Sequence, residues 1–153
     1  MLEPLASRSS RLLAILVDIF ISALFRFVFL LITGIAEFST FTDLKKVEKL
    51  SVGSSIISII CVVIFYILIP TYVWKGQTIG KRWLKIAVVK EDNQEVNLGT
   101  MFVRTIFSFL GYVKIKYLSF IVGIVAFIDP FFIFTSERKT LHDRIAKTKV
   151  IDV

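Results

Sequence analysis

The sequence predicts an all-α membrane fold: a polytopic bundle of four transmembrane helices, one of them short or re-entrant, with a small cytoplasmic β element. Three observations carry this expectation. Of the 153 residues, 56% are hydrophobic, where soluble domains hold about 45–50%. Several apolar runs approach or exceed the ~20 residues that cross a bilayer core. The formal charge of +7 is gathered beside those runs, as the positive-inside rule requires. The same clustering argues against nucleic acid as a partner. The chain, 1–153, is read as one domain.

Residues 1–10 form a polar arm, with Ser9 or Ser10 as a candidate helix cap. The first helix is expected over about 11–36. Arg8 and Arg11 ahead of an apolar run resemble a signal peptide. The run holds Asp18 and Arg26 and shows no small-residue cleavage site, so a retained helix is expected. Residues 37–51 are a loop of balanced charge. The second helix is expected over 52–74, with Gly53, Ser54, Ser55 and Ser58 as a small-residue face for close helix approach. Pro70 predicts a kink near its end, and Tyr72 and Trp74 suit interfacial anchors.

Residues 75–100 form a basic loop. Within it Leu84–Val89 has strand character, Glu91–Gln94 reads as a turn, and Glu95–Asn97 is a candidate returning strand. Residues 101–113 are either an interfacial helix or a short third crossing. The fourth helix is expected over 117–135. The basic tail, 136–153, ends in an alternating strand pattern over Lys147–Val153, which predicts pairing with Leu84–Val89. The arm, the loop and the tail are all basic, so all three belong on the cytoplasmic side of the plasma (inner) membrane, which requires an even number of crossings.

Charged residues inside apolar spans are costly, about 2.5–3.5 kcal/mol at a helix centre, and mark interior sites. Asp18 lies two turns beyond Arg11, about 10 Å along the helix. In a four-helix topology Asp129 reaches a similar depth from another helix. Both carboxylates are therefore expected at a shared polar site with Arg11, which can snorkel to headgroups or lean toward Asp18, and with Arg26, whose side chain leans back toward the N-terminus; Ser22, between Asp18 and Arg26, is a candidate hydrogen-bond relay. Pro130 would free the Ala126 carbonyl, a candidate cation ligand at Asp18 and Asp129. Gly76-x-x-x-Gly80-Lys81-Arg82 fails as a phosphate loop, because only three residues separate the glycines and arginine follows the lysine. Its basic residues suit anionic lipid headgroups. His142 alone makes no metal site or triad, and Asp143 is a candidate partner for Lys81 or Arg82. Cys61, the one cysteine, builds no disulfide. No metal, cofactor or enzymatic activity is expected.

Three blocks, Arg11-x-x-Ala14-x-x-x-Asp18, Gly76–Arg82 and Thr140–Val150, resemble the signature of the RDD family of small integral membrane proteins. The resemblance implies one arginine and two aspartates as the defining residues. Arg11 and Asp18 match the first two; Asp129 or Asp143 matches the third. On this resemblance Gly76, Gly80, Lys81, Arg82, His142, Asp143 and Arg144 form the cytoplasmic motifs. Family members have been linked to transport, including sodium/proton exchange. Two readings follow: a site that moves a cation, proton or small solute, served by a homo-oligomer, or a non-transporting protein that binds lipid or a membrane partner and uses the charges for helix packing.

Overall fold

The structure, a computed structural model, describes residues 4–43, 52–106, 109–110 and 116–153. It is mostly helical with one two-stranded sheet. Helix α1, Arg8–Ile32, begins at Ser7 rather than Ser9 or Ser10: the Ser7 hydroxyl accepts from the Ser10 amide at 3.0 Å. It ends four residues earlier than about Ala36, because Gly34 takes φ +68° and the chain turns there. A short α2, Phe38–Thr42, follows. Lys45, Lys46, Glu48 and Lys49 of the charge-balanced loop lie outside the described residues.

Helix α3, Val52–Val62, continues as a π-helix over Val63–Val73. Pro70, where a kink is expected, lies inside this π-helical stretch. It has no amide proton to donate, and the Trp74 amide bonds to Ile69 O, five residues back, at 3.0 Å. α1 and the Gly53–Val73 helix are each long and apolar enough to cross a membrane. Their apolar side chains stay largely outward: Phe20 is 69% exposed and Ile32 76%. Such a surface calls for lipid or another apolar cover.

Helix α4, Ile79–Trp83, leads into strand β1, Ile86–Lys90. The turn after β1 is the expected one: the Lys90 amide bonds to Gln94 O at 3.0 Å and Asn93 takes φ +65°. Helix α5, Leu98–Arg104, is capped by Asn97. Its seven residues rise only about 10 Å, so it does not itself span a bilayer; residues 107–108 and 111–113 of the expected third helix lie outside the described residues. Helix α6, Lys116–Ile128, tightens into a 3₁₀ turn over Asp129–Phe134 where Pro130 enters. Helix α7, Leu141–Ile145, leads into β2, Thr148–Asp152. β1 and β2 pair antiparallel, with Val88 opposite Val150. Glu95 meets Val89 in a single bridge, so the candidate strand at Glu95–Asn97 is reduced to one contact.

The sheet exposes an internal two-fold likeness. Residues 62 positions apart do the same work in the two halves. Thr78 and Thr140 cap α4 and α7 by accepting from the amides of Lys81 and Asp143. Lys85 and Lys147 end those helices at φ +52° and +51°. Val88 and Val150 then face each other at the centre of the strand pair. Leu5 bridges to Ile151 as Glu95 bridges to Val89. The Asp152 amide bonds to Pro4 O at 3.2 Å as the Lys90 amide bonds to Gln94 O. Ser7 and Asn97, two residues after the bridges, cap α1 and α5. Each half is thus an arm, a helix, an apolar helix, a threonine-capped helix and a strand, with each arm added to the other half's strand. The N-terminal arm, the 75–100 loop and the tail are consequently bonded together at one end of the molecule. Ile86, Val88, Val96 and Val150 join Ala6, Ala14, Ile67 and Met101 in the core there. A second apolar cluster, Leu30, Ala36, Ile57 and Cys61, closes α1 against α3.

Candidate functional site

Three buried carboxylates fasten the helices to the sheet end. Asp18, on α1, accepts from the Gly80 amide at 2.7 Å and the Thr78 hydroxyl at 2.5 Å. This needs α4 to lie directly on α1. A Cβ on Gly80 would sit 2.3 Å from the Ala14 carbonyl oxygen and 3.1 Å from Asp18 Cγ, so only glycine permits the contact. Gly76 plays the same part toward the sheet: it takes φ +87°, and a Cβ there would sit 2.1 Å from Val88 O.

Asp129, at the α-to-3₁₀ change, accepts from the His142 amide at 3.1 Å and pairs with His142 Nδ1 at 2.5 Å. The likeness of the halves extends here, because Gly80 and His142 are equivalent positions and each amide donates to a buried aspartate. Asp143 forms a capping box with Thr140 and is ion-paired and hydrogen-bonded to Arg104. Burial raises its carboxyl, but the charge of Arg104 and the hydrogen bonds from Arg104 and Thr140 outweigh this and hold it well below the usual carboxylate range. Thr148, fully buried, accepts from Arg104 beside it.

Between these groups lies a cavity of about 230 Å³. Asp18 from α1, Lys81 from α4, Arg104 from α5, Asp129 from the 3₁₀ turn after α6 and His142 from α7 all line it, with Tyr66 of the π-helical stretch. Lys81 points inward, with Nζ 3.3 Å from Thr78 Oγ1 and 3.8 Å from Asp18 Oδ2. Burial lowers its pKa despite the opposing charge of Asp18. At about 30 Å³ per water the cavity has room for roughly seven waters or one small solute.

The sequence profile of the RDD family matches residues 5–147 of this chain. The chain belongs to the RDD family. A stretch of 89 residues is 38% identical to a protein of Bacillus subtilis (strain 168) named Uncharacterized protein YckC, covering 58% of this chain and 55% of that protein. The chain thus spans little more than half the length of that relative. No solved structure matches it. The family and the two long apolar helices together give this RDD protein the character of a membrane protein.

The expected site residues divide. Asp18 and Asp129 share the cavity wall. Arg11 does not lean toward Asp18; its guanidinium donates to the carbonyls of Arg138 and Val150, the latter at 2.6 Å, and lies 3.9 Å from Asp143. Its position at the start of α1 puts it under the tail, which the spacing within one helix could not reveal. Arg26 is half-buried and is not among the residues lining the cavity. Ser22, expected to link Asp18 to Arg26, instead bonds to Ile19 O and Tyr66. The lipid-facing expectation is corrected for Gly80, Lys81 and Asp143: Gly80 and Asp143 are buried and Lys81 turns into the cavity. His142 is mostly covered as well, by its pairing with Asp129. Arg82 stays outside, stacked on Trp74 with its carbon 5.1 Å from the ring centre. Arg144 is likewise outside, 3.5 Å from Glu137. Asp143 pairs with neither Lys81 nor Arg82, because Arg104 and Arg11 reach it first.

Three functional side chains were not singled out from sequence: Thr78, Thr140 and Thr148. Thr140-x-x-Asp143 is a capping-box spacing, and it was the available signal for Thr140. Thr148 carried none.

Proposed function

We propose that this RDD protein crosses the plasma membrane four times, with both termini, the 75–100 loop and the tail in the cytoplasm, and that it binds and moves a small charged solute or ion through the cavity at Asp18 and Asp129. The observation behind this reading is that carboxylates from two apolar helices share one cavity with Lys81, Arg104 and His142. Intramembrane ionisable groups around a water-sized space are the usual makings of a solute or proton path. The two-fold likeness supports four crossings: α1 and α3 leave and return to the sheet end, and the second half starts and finishes there too. The basic loop and tail then obey the positive-inside rule and meet anionic headgroups. The outward apolar side chains of α1 suit lipid or a second copy of the chain. Bond-making chemistry forms no part of this reading.

A second reading has its own support. Asp18, Asp129 and Asp143 are each already satisfied by donors of the chain, as a purely structural lock would be. Proteoliposomes with an internal pH dye separate the two. Wild type should respond to imposed ion gradients, and folded Asp18→Asn and Asp129→Asn should not. Wild type as silent as empty vesicles to all ions and small solutes offered would leave the charges to packing alone.

A further inference from the structure

We propose that the cavity takes a small monovalent oxyanion, a carboxylate or a phosphate group, against Lys81, together with a proton on His142. This rests on the reading of the cavity as a solute site and narrows it to one chemical class.

Each carboxylate oxygen in the cavity already has a donor, whereas its ammonium has protons to spare. Both oxygens of Asp18 accept from Thr78 and Gly80, and both oxygens of Asp129 accept from His142. Arg104 donates from Nη1 to Asp143 and Thr148, which turns that end of it away from the solute. The Lys81 ammonium has three protons. Only Thr78 Oγ1, at 3.3 Å, lies within hydrogen-bond distance of it among the described residues; Asp18 stands off at 3.8 Å. An inward ammonium with spare protons is the feature an oxyanion completes. Its burial points the same way, because the cost of desolvating it exceeds the attraction of Asp18.

Charge balance supplies the proton. Around the cavity and directly behind it, Arg11, Lys81 and Arg104 face Asp18, Asp129 and Asp143. With a neutral histidine this cluster carries no net charge, and a bound anion would leave it negative in a low-dielectric setting. His142 is the group able to correct this. It faces Asp129 from the 3₁₀ turn after α6, Lys81 from α4, Asp18 from α1 and Arg104 from α5, with Asp143 and Arg144 beside it on α7. Protonated, it donates to Asp129 and the loaded cluster is neutral. The two-fold likeness of the halves breaks at this place: Lys81 stands where the other half has Asp143, and Gly80 where it has His142. The size admits a short carboxylic acid anion or one phosphate group, free or on a lipid.

The test uses the full chain in phosphatidylcholine nanodiscs in weak buffer, titrated with sodium acetate, sodium phosphate and sodium chloride. Proton uptake is followed with a pH dye and Lys81 by lysine ammonium NMR. The expected result is saturable acetate or phosphate binding with about one proton taken up per anion, and a Lys81 resonance that titrates at higher pH in the loaded state. Lys81→Gln should weaken binding by roughly 10- to 100-fold, the loss of one charged hydrogen bond. Lys81→Arg should restore most of it, and Lys85→Gln, the same charge removed from an exposed position, should change nothing. His142→Gln should abolish proton uptake. If Lys81→Gln does not fold, the wild-type resonance decides alone. Binding seen only in nanodiscs containing phosphatidylglycerol, and still dependent on Lys81, would identify a lipid headgroup as the source of the same oxyanion chemistry. A response set by sodium and indifferent to the anion would overturn the proposal while leaving a solute site. No response to any salt or lipid would overturn both.

Discussion

Gly80→Ala tests the central contact of the fold. The added Cβ would sit 2.3 Å from Ala14 O and 3.1 Å from Asp18 Cγ. The obstacle at Ala14 is helix backbone, which cannot swing away as a side chain can. α4 must therefore lift off α1, stretching the 2.7 Å bond from the Gly80 amide to the Asp18 carboxylate. A hydrogen bond to a charged group contributes about 1.5–3 kcal/mol, and overpacking costs about 1–3 kcal/mol. Together they predict a loss of about 3–5 kcal/mol, a large part of a typical domain's ~5–15 kcal/mol. Gly99→Ala is the control. Its nearest neighbour would be Asn97 Oδ1 at 3.6 Å, and it should be neutral or stabilise by up to ~1 kcal/mol through helix propensity. Reversible unfolding in detergent micelles, compared for the two variants, gives both numbers. Gly80→Ala within ~1 kcal/mol of wild type would mean that α4 does not lie on α1 at this distance, and the account of Asp18 would fail with it.

Asp143→Asn should destabilise by about 3–5 kcal/mol, because Arg104 loses its buried counter-charge. The sign in acid is fixed by the depressed carboxyl of Asp143. Its contribution is present above the unfolded value of about 4 and is lost as pH falls from there toward the lower folded value. Unfolding measured against pH should therefore show an acid limb in wild type that is missing from the variant; the same limb in both would refute the assignment. For the topology, single cysteines in a Cys61→Ser background give a direct answer. A membrane-impermeant maleimide should label Asn93→Cys and Ser136→Cys from one side of sealed vesicles and Glu37→Cys from the other. Labelling of Glu37→Cys and Asn93→Cys from the same side would refute a crossing by α1 and α3.

The sequence by itself determined the local features of this protein. Apolar run length placed α1 and the Gly53–Val73 helix, since each run satisfies its own backbone and needs no partner to be recognised. Strand character placed β1 and β2 within two residues, and their common place on the cytoplasmic side led to the expectation that they pair. Arg11, Asp18 and Asp129 stood out because charge beside or within apolar segments is costly wherever the chain goes. What each charge meets was decided only in three dimensions. Arg11 and Asp18 share one helix face in sequence, yet one reaches the tail and the other α4. Those partners lie 139 and 62 residues away, and no helical period reports on them. The two-fold likeness was equally hidden. Thr78-Ile79-Gly80-Lys81-Arg82 and Thr140-Leu141-His142-Asp143-Arg144 share only their first and last residues. Their equivalence comes from backbone geometry: a threonine cap, a left-handed lysine and a strand that pairs with its own counterpart. Backbone hydrogen bonds tolerate many side chains. The fold could therefore keep the symmetry while the side chains at Gly80, Lys81, His142 and Asp143 diverged, and that divergence gives the cavity its chemistry.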